Sequence, residues 1–484
     1  MMQKLKKDMK RIPIEKLLVF AGCLLLGWWY IYFYSVSTSP RYPDYFGHDS
    51  AQFQTLGMAW SKGYLPYGDL FDHKGPYIFL VNLIGYQFGF MTMQTINMAF
   101  TLFFIYLIGE YISEKWYVGV ASSLLSVFVL YMPYCDGNYT EEYCMPFLFA
   151  SFYLAIKSIR KEEYKVSYVF LYGITAGICL MTRATNFLPI AVCILVIIGL
   201  LVMKKDYKNI LMSGLVFIGS MMIVVGPFAI YFASNGLFYQ FVNGSFLYNF
   251  KYLTNSTPWV LEKNSLETIN NFVLCYFCVF LMIFPIALAE TTRERILYIL
   301  LPTLELALFC YGIFFYHYPM IALFQVALFV AYTYKGIFQR KLPTRIITLL
   351  AFVFVMCYFS RFQLYAFLYT PVEYTEQYGT YVEKDYEVLA KEVEGDFVGF
   401  GSERLKDIYL RTDSVPCSRF FSIQDWHASF DEETKQEIRA DYLSGKVKNV
   451  IVEVEQYYTI KDILQEQYKF VDECGQCKLF TLKE

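Results

Sequence analysis

The chain has 484 residues, of which 56% are hydrophobic, 20% aromatic and only 17% charged, against about 45–50% apolar and about 25% charged in an ordinary globular domain. That balance excludes a soluble enzyme, a disulfide-rich secreted scaffold, a disordered chain and a collagen-like fibre, and makes lipid the solvent for most of the chain. A net charge of −2 with no long basic run argues against nucleic acid as a partner.

Charge is unevenly divided. Residues 1–369 carry 27 Lys and Arg against 19 Asp and Glu, whereas residues 370–484 carry 14 against 24. Two bodies are expected: a transmembrane domain over 1–369 and a water-soluble domain over 370–484.

Crossing a bilayer takes about 20 apolar residues at 1.5 Å each. Stretches of this kind lie at 17–36, 93–111, 116–134, 143–159, 166–181, 186–203, 210–232, 268–289, 297–315, 319–334 and 346–362, which predicts about eleven spans. The apolar stretch 77–90 is too short, and parity decides how to treat it. If it does not cross, the clusters at Lys4/Lys6/Lys7/Lys10/Arg11, Lys157/Arg160/Lys161/Lys165, Lys204/Lys205/Lys208, Arg293/Arg295 and Lys335/Arg340/Lys341/Arg345 all share one face. That face is the cytoplasm by the positive-inside rule. The stretch is therefore expected as a re-entrant or interfacial helix on the outer face, with the N-terminus cytoplasmic and the acidic tail outside.

The first outer loop contains Asp49, followed by Phe53, Leu56, Gly57 and Trp60 at helical spacing. This predicts an amphipathic helix over residues 50–60, lying along the membrane surface. Asp49 would sit at its N-cap or first turn, where a carboxylate is stabilised by the helix dipole whether or not it does chemistry. Further on, Gly68-Asp69-Leu70-Phe71-Asp72-His73-Lys74-Gly75-Pro76 concentrates charge at the mouth of an apolar body. Lys74 there either meets a phosphate as a point charge or snorkels to water. The second outer loop holds Glu141 and Glu142, either first-turn dipole partners after a Thr140 or Asn138 cap or a second acidic group for a reaction.

Three further features complete the reading. Glu305 lies within a span, where a charge costs about 2.5–3.5 kcal/mol, and is expected in a structural polar contact. In the tail, strands are expected at 397–400, 415–421, 450–454, 468–472 and 478–482, with a helix at 431–443. Asp425-Trp426-His427 offers either a sugar-stacking aromatic or a Trp closing a small core. Cys474 and Cys477 suit a hairpin-tip disulfide or a coincidence of spacing, and with only Cys417 and His427 nearby a metal is not expected.

Taken in order, Asp49 after the first span, PYGDLFDHKGP, GNYTEEYCMPFLF, LMTRATNFLP and FYHYPMIALF resemble the GT-C membrane glycosyltransferases over roughly residues 17–361. The closer likeness is to the family 39-like branch, which includes protein O-mannosyltransferases and lipid A aminoarabinose transferases. The run YLRTDSVPCSRFF is similar to tails of bacterial members. The resemblance implies a polytopic α-helical membrane fold of GT-C type with interfacial helices and a small C-terminal α/β domain. It also implies inverting transfer of a sugar from a polyprenyl-phosphate carrier to a hydroxyl or amine of a glycan, lipid or protein at the outer face.

Asp49 matches the catalytic base and Glu141 the second acidic position. Lys74 matches the group that meets the carrier phosphate, with His73 and Asp72 in the same loop and Arg183 or His317 adding positive charge. Many members carry Asp-Glu where this chain has Asp49-Ser50, so the role of that second acid is unfilled or falls to Glu142. No cofactor is implied; Asp49, Asp72 and Glu141 could offer oxygen to a divalent cation, but the branch generally works without one. The rival functions are a lipid-carrier flippase, which predicts charge spread through the bundle or an interrupted internal repeat, and a silent receptor in which Asp49 only caps.

Overall fold

The computed structural model describes residues 14–255, 280–310, 315–430 and 432–484. The expected span at 268–289 lies outside the described residues as far as 279. Chain order begins with α1 (Ile14–Tyr34), α2 (Asp49–Ser61), α3 (Pro76–Phe88), α4 (Phe90–Ser113), α5 (Trp116–Tyr134), α6 (Thr140–Lys161) and α7 (Val166–Leu180). It continues with α8 (Leu188–Met203), α9 (Tyr207–Ser234), α10 (Thr292–Cys310), α11 (Gln325–Phe338) and α12 (Leu342–Tyr378).

Among the described residues five helices are long and apolar enough to cross a membrane: Ile14–Tyr34, Phe90–Ser113, Trp116–Tyr134, Ala184–Met203 and Tyr207–Ser234. Val166–Leu180 and Leu342–Cys357 are shorter apolar helices. The chain is a membrane protein, and its outward faces show it: Leu211, Leu215, Ile218 and Ile230 of α9 are all exposed, as a lipid-facing surface requires. Small residues bring the helices together. A Cβ at Gly173 would lie 2.3 Å from the Phe217 carbonyl oxygen, and one at Gly177 2.8 Å from Val224 Cβ, so α7 and α9 pack by the small-residue contact that substitutes for hydrophobic driving force in lipid. The centre of the bundle is α6, buried along most of its length. Glu305 is buried on α10 and accepts from Gln325 Nε2, a polar contact inside the bundle.

The helix expected over residues 50–60 forms, but it does not lie on the surface. Every residue from Ser50 to Ala59 is buried. Gly57 lets α3 sit directly on α2, since a Cβ there would fall 2.5 Å from the Asn82 carbonyl carbon, and the tail helix α13 (Ile408–Arg411) also lies against α2. The period read from Phe53, Leu56 and Trp60 described one buried face of a helix covered on the others as well.

Helix α12 runs through residue 370 to Tyr378. Beyond it the tail forms a four-stranded sheet in the order β1-β2-β4-β3, with β1 (Phe397–Phe400), β2 (Asn449–Glu453), β3 (Tyr468–Cys474) and β4 (Cys477–Leu482). β1 and β2 are parallel, the other pairs antiparallel. Helix α14 (Glu432–Leu443) matches the expected one. The expected strand at 415–421 is not a strand, because its backbone is claimed elsewhere: Phe71 N–H of the membrane body donates to the Arg419 carbonyl at 2.8 Å. Cys474 and Cys477 stand opposite each other across the hairpin, both as free thiols, and Arg404 Nη1 lies 3.3 Å from Cys477 Sγ.

Candidate active site

Asp49 is the first residue of α2, and the preceding His48 makes no side-chain cap. Its carboxylate turns to a cation instead: Lys406 Nζ of the tail donates to Oδ1 at 3.4 Å. The Asp49 side chain keeps 38% exposure although protein surrounds it at longer range, which places it on the wall of a cleft. Burial pushes its carboxyl upward, but the charges of Lys406 and Lys74, with smaller contributions from His317 and His73, outweigh this and hold it below the usual carboxylate range.

The Gly68–Pro76 loop is built to place Lys74. Asp72 is buried, accepts from Gln52 Nε2 of α2 at 2.5 Å and from the Lys74 backbone N–H at 2.7 Å. Burial raises its carboxyl despite the nearby Lys74, and its two bonds tie the loop to α2. Gly75 N–H donates to Thr182 O at 3.0 Å, and Tyr77 N–H to Met181 O at 2.8 Å. Only glycine fits at 75, since a Cβ there would lie 2.3 Å from the Met181 carbonyl carbon. This clamp brings the loop alongside Arg183, just past the end of α7. Lys74 Nζ donates to His73 Nε2 at 2.6 Å. Burial, then Lys74, drives His73 well below its ordinary value, leaving a neutral ring that can accept that bond.

Glu141 is buried at the start of α6, where Arg183 Nη1 donates to its Oε1 at 3.1 Å and Thr140 Oγ1 to its Oε2 at 2.9 Å. His317 Nε2 lies 3.9 Å from Oε2, with its ring stacked on Tyr139 at a centroid distance of 4.2 Å. Burial lowers His317 as well, against the pull of Glu141 and Asp49. The Arg183 guanidinium lies 3.6 Å from the centroid of Tyr318, a cation–π contact.

Glu142 faces elsewhere. It accepts from the Asn138 backbone N–H at 2.9 Å, Tyr134 OH at 3.1 Å and Gln94 Nε2 at 3.3 Å. With those three donors it serves the loop turn, where Asn138 holds a positive φ of 64°. Asn138 in turn donates to Ser50 Oγ at 2.8 Å and Asn82 Oδ1 at 2.9 Å, which ties the loop before α6 to the residue next to Asp49.

Sequence reasoning missed Lys406, 357 residues from its partner, and nothing in its local sequence distinguishes it from other tail lysines. Trp426 packs near His73, with ring centroids 6.0 Å apart, and against Phe430 at 4.5 Å. His427 Nδ1 and Tyr248 OH are 2.8 Å apart. The Asp425–His427 motif thus closes the seam between the tail and the charged loop. Among the described residues no group of three or more His, Cys, Asp or Glu is arranged to hold a metal ion.

Taken together, the helical bundle, the loops converging at one mouth and the small soluble domain over it define a membrane protein of GT-C architecture. No protein-family model and no curated protein sequence matches the chain. Its fold is similar to that of ArnT from Cupriavidus metallidurans. The crystal structure bound to undecaprenyl phosphate aligns with a TM-score of 0.57 and 11% identity over 97% of this chain and 98% of that one. The apo structure aligns at 0.55 and 12%, over 96% and 97%. At that identity the likeness is one of fold, and it extends through the tail.

Proposed function

We propose that the chain is an inverting glycosyltransferase that moves a sugar from a polyprenyl-phosphate carrier to an acceptor hydroxyl or amine at the outer face of a cell membrane. The observation that carries this reading is an accessible Asp49 bonded by Lys406 of the tail, its carboxyl lowered also by Lys74 from another part of the chain. A lipid-linked donor presents its phosphate at headgroup level, which is where such a mouth must lie. The similarly folded ArnT was crystallised with undecaprenyl phosphate bound, and that chemistry suits Lys74.

In the proposed reaction the acceptor oxygen or nitrogen attacks the anomeric carbon from the face opposite the carrier. Its proton passes to Asp49. The bond from the anomeric carbon to the phosphate oxygen breaks, its electron pair stays on the phosphate, and Lys74 and Arg183 stabilise the charge that develops. Glu141 holds Arg183 in place, taking the second acidic role, while Glu142 organises the loop. Donor binding also prepares the base. A phosphate at Lys74 offsets part of the positive field on Asp49, which raises its carboxyl toward the range where a general base works well.

The test is incubation of the purified protein with polyprenyl-phosphate sugars, reading release of carrier phosphate. Asp49→Asn is expected to lower turnover by about 10²–10⁴-fold. Turnover undiminished in that variant sinks the base assignment, and no turnover with any donor favours a transporter or receptor.

A further inference from the structure

Lys406 follows a short turn after β1 in which Ser402 Oγ accepts from the Arg404 N–H at 3.3 Å. Its side chain is 2% exposed, while its two carboxylate partners, Asp49 and Glu403, keep 38% and 51%. A buried ammonium thus stands behind two accessible carboxylates. Burying a lysine is costly unless the charge is compensated, and the compensation here spans two bodies, since Glu403 is its own neighbour and Asp49 belongs to the membrane domain. Lys406 meets Oδ1 of Asp49, and Oδ2 has no hydrogen-bond partner among the described residues.

The tail is also bonded to the membrane body at other points. Arg411 donates to Asp44 Oδ1 of the first outer loop at 2.9 Å. Arg419 Nε donates to the Tyr67 carbonyl at 2.9 Å and Lys62 Nζ to Asp413 Oδ1 at 2.7 Å. We propose that Lys406 is a positioning residue supplied by the soluble tail: it fixes Asp49 through Oδ1, leaves Oδ2 for the acceptor proton, and makes the base depend on a docked tail. This rests on the base assignment above.

The groups facing Asp49 are Lys406 and Glu403 from the tail, Asp72, His73 and Lys74 from the charged loop, Tyr139 before α6, His317 from the turn before α11, and His48 beside it. Burial lowers His73 and His317 and Lys74 as well, whereas Asp49 and Glu403 raise Lys406 against its burial, so Lys406 is the cation most firmly tied to Asp49. Removing Lys406 withdraws the cation bonded to Asp49, and an opposite charge at this range is worth about 1–3 pH units. With Asp49 partly exposed, the lower end applies.

The experiment uses the full-length protein in nanodiscs, with Lys406→Met and Lys406→Arg. Two readouts are taken: kcat/KM against pH, and the infrared carboxylic-acid band of Asp49, assigned by difference from Asp49→Asn. The expected result is an acid limb and an Asp49 band that both move up by about one unit in Lys406→Met. Lys406→Arg restores both, and the donor KM stays within about threefold. Activity lost with the acid limb unmoved overturns the proposal, as does a Lys406→Met enzyme indistinguishable from the parent. If Lys406→Met fails to fold, Lys406→Gln, which keeps a donor without charge, is read by the same criteria. If the parent turns over no donor, the glycosyl-transfer reading falls. The infrared titration still decides the Lys406–Asp49 coupling: a shifted band upholds it and an unshifted band overturns it.

Discussion

Replacing Arg411 by methionine tests how the tail is held over the mouth. The Arg411 side chain is 1% exposed and bonds three carboxylates: Asp44 Oδ1 at 2.9 Å, Glu387 Oε2 at 3.0 Å and Asp407 Oδ2 at 2.8 Å, which are 3%, 4% and 16% exposed. Methionine fills similar space but removes the only cation that, among the described residues, is shared by all three. Breaking a buried ion pair from one side costs about 3–5 kcal/mol, because the opposite charges stay buried. Part of that charge is still served. Asp44 keeps Lys384 Nζ at 3.7 Å and the Val382 N–H at 3.1 Å, and Asp407 keeps Tyr386 OH at 2.5 Å. The expected loss is therefore near about 3 kcal/mol. Amide hydrogen exchange in α13, on the intact protein in nanodiscs, is expected to accelerate by roughly two orders of magnitude. Arg411→Lys, which keeps the charge but not the planar fork, is expected to fall between. Opening of α13 within about 0.5 kcal/mol of the parent, the range of a neutral surface change, refutes the reasoning that this cluster holds the tail in place.

Two predictions concern the rest of the mouth. Lys74→Met is expected to raise the donor KM by about 10-fold or more, the value of a hydrogen bond to a charged group, with thermal stability unchanged; an unaltered KM in steady-state assays removes Lys74 from the phosphate site. Gly57→Ala places a Cβ 2.5 Å from Asn82 on α3, so overpacking should destabilise the protein by about 1–3 kcal/mol. Turnover is expected to fall through displacement of Asp49, and a variant with the parent's melting point and rate shows that α2 does not seat the base.

The candidate site was legible where chemistry clusters locally. Asp49 and the Asp72–Lys74 run lie in the one stretch between α1 and α4, and charge crowded beside apolar spans stands out because lipid tolerates so little of it. Glu141 and Arg183 were each visible in a motif, but their bond at 3.1 Å links positions 42 apart, which periodicity does not report. Glu142 shows the reverse case. Adjacent acids look equivalent in sequence, yet successive helical residues point in directions about 100° apart, so one meets Arg183 and the other meets Asn138 and Tyr134. The strand expected at 415–421 failed because alternating apolar residues show that a segment is buried without showing which partner takes its backbone.

By itself the sequence determined that this chain lives in lipid, that a soluble α/β tail follows the bundle, and that the scarce charge gathers at one mouth. These are properties of composition and local period, set by the cost of exposing apolar surface to water or charge to hydrocarbon. Only the tertiary structure decided that α2 is buried on all sides, that Asp72 and Glu142 brace loops while Glu141 anchors Arg183, and that Asp49 is met by Lys406 of the tail. Such pairings are fixed by which surfaces the packed bundle brings within a few ångströms. Coulomb attraction at that range acts without regard to separation along the chain.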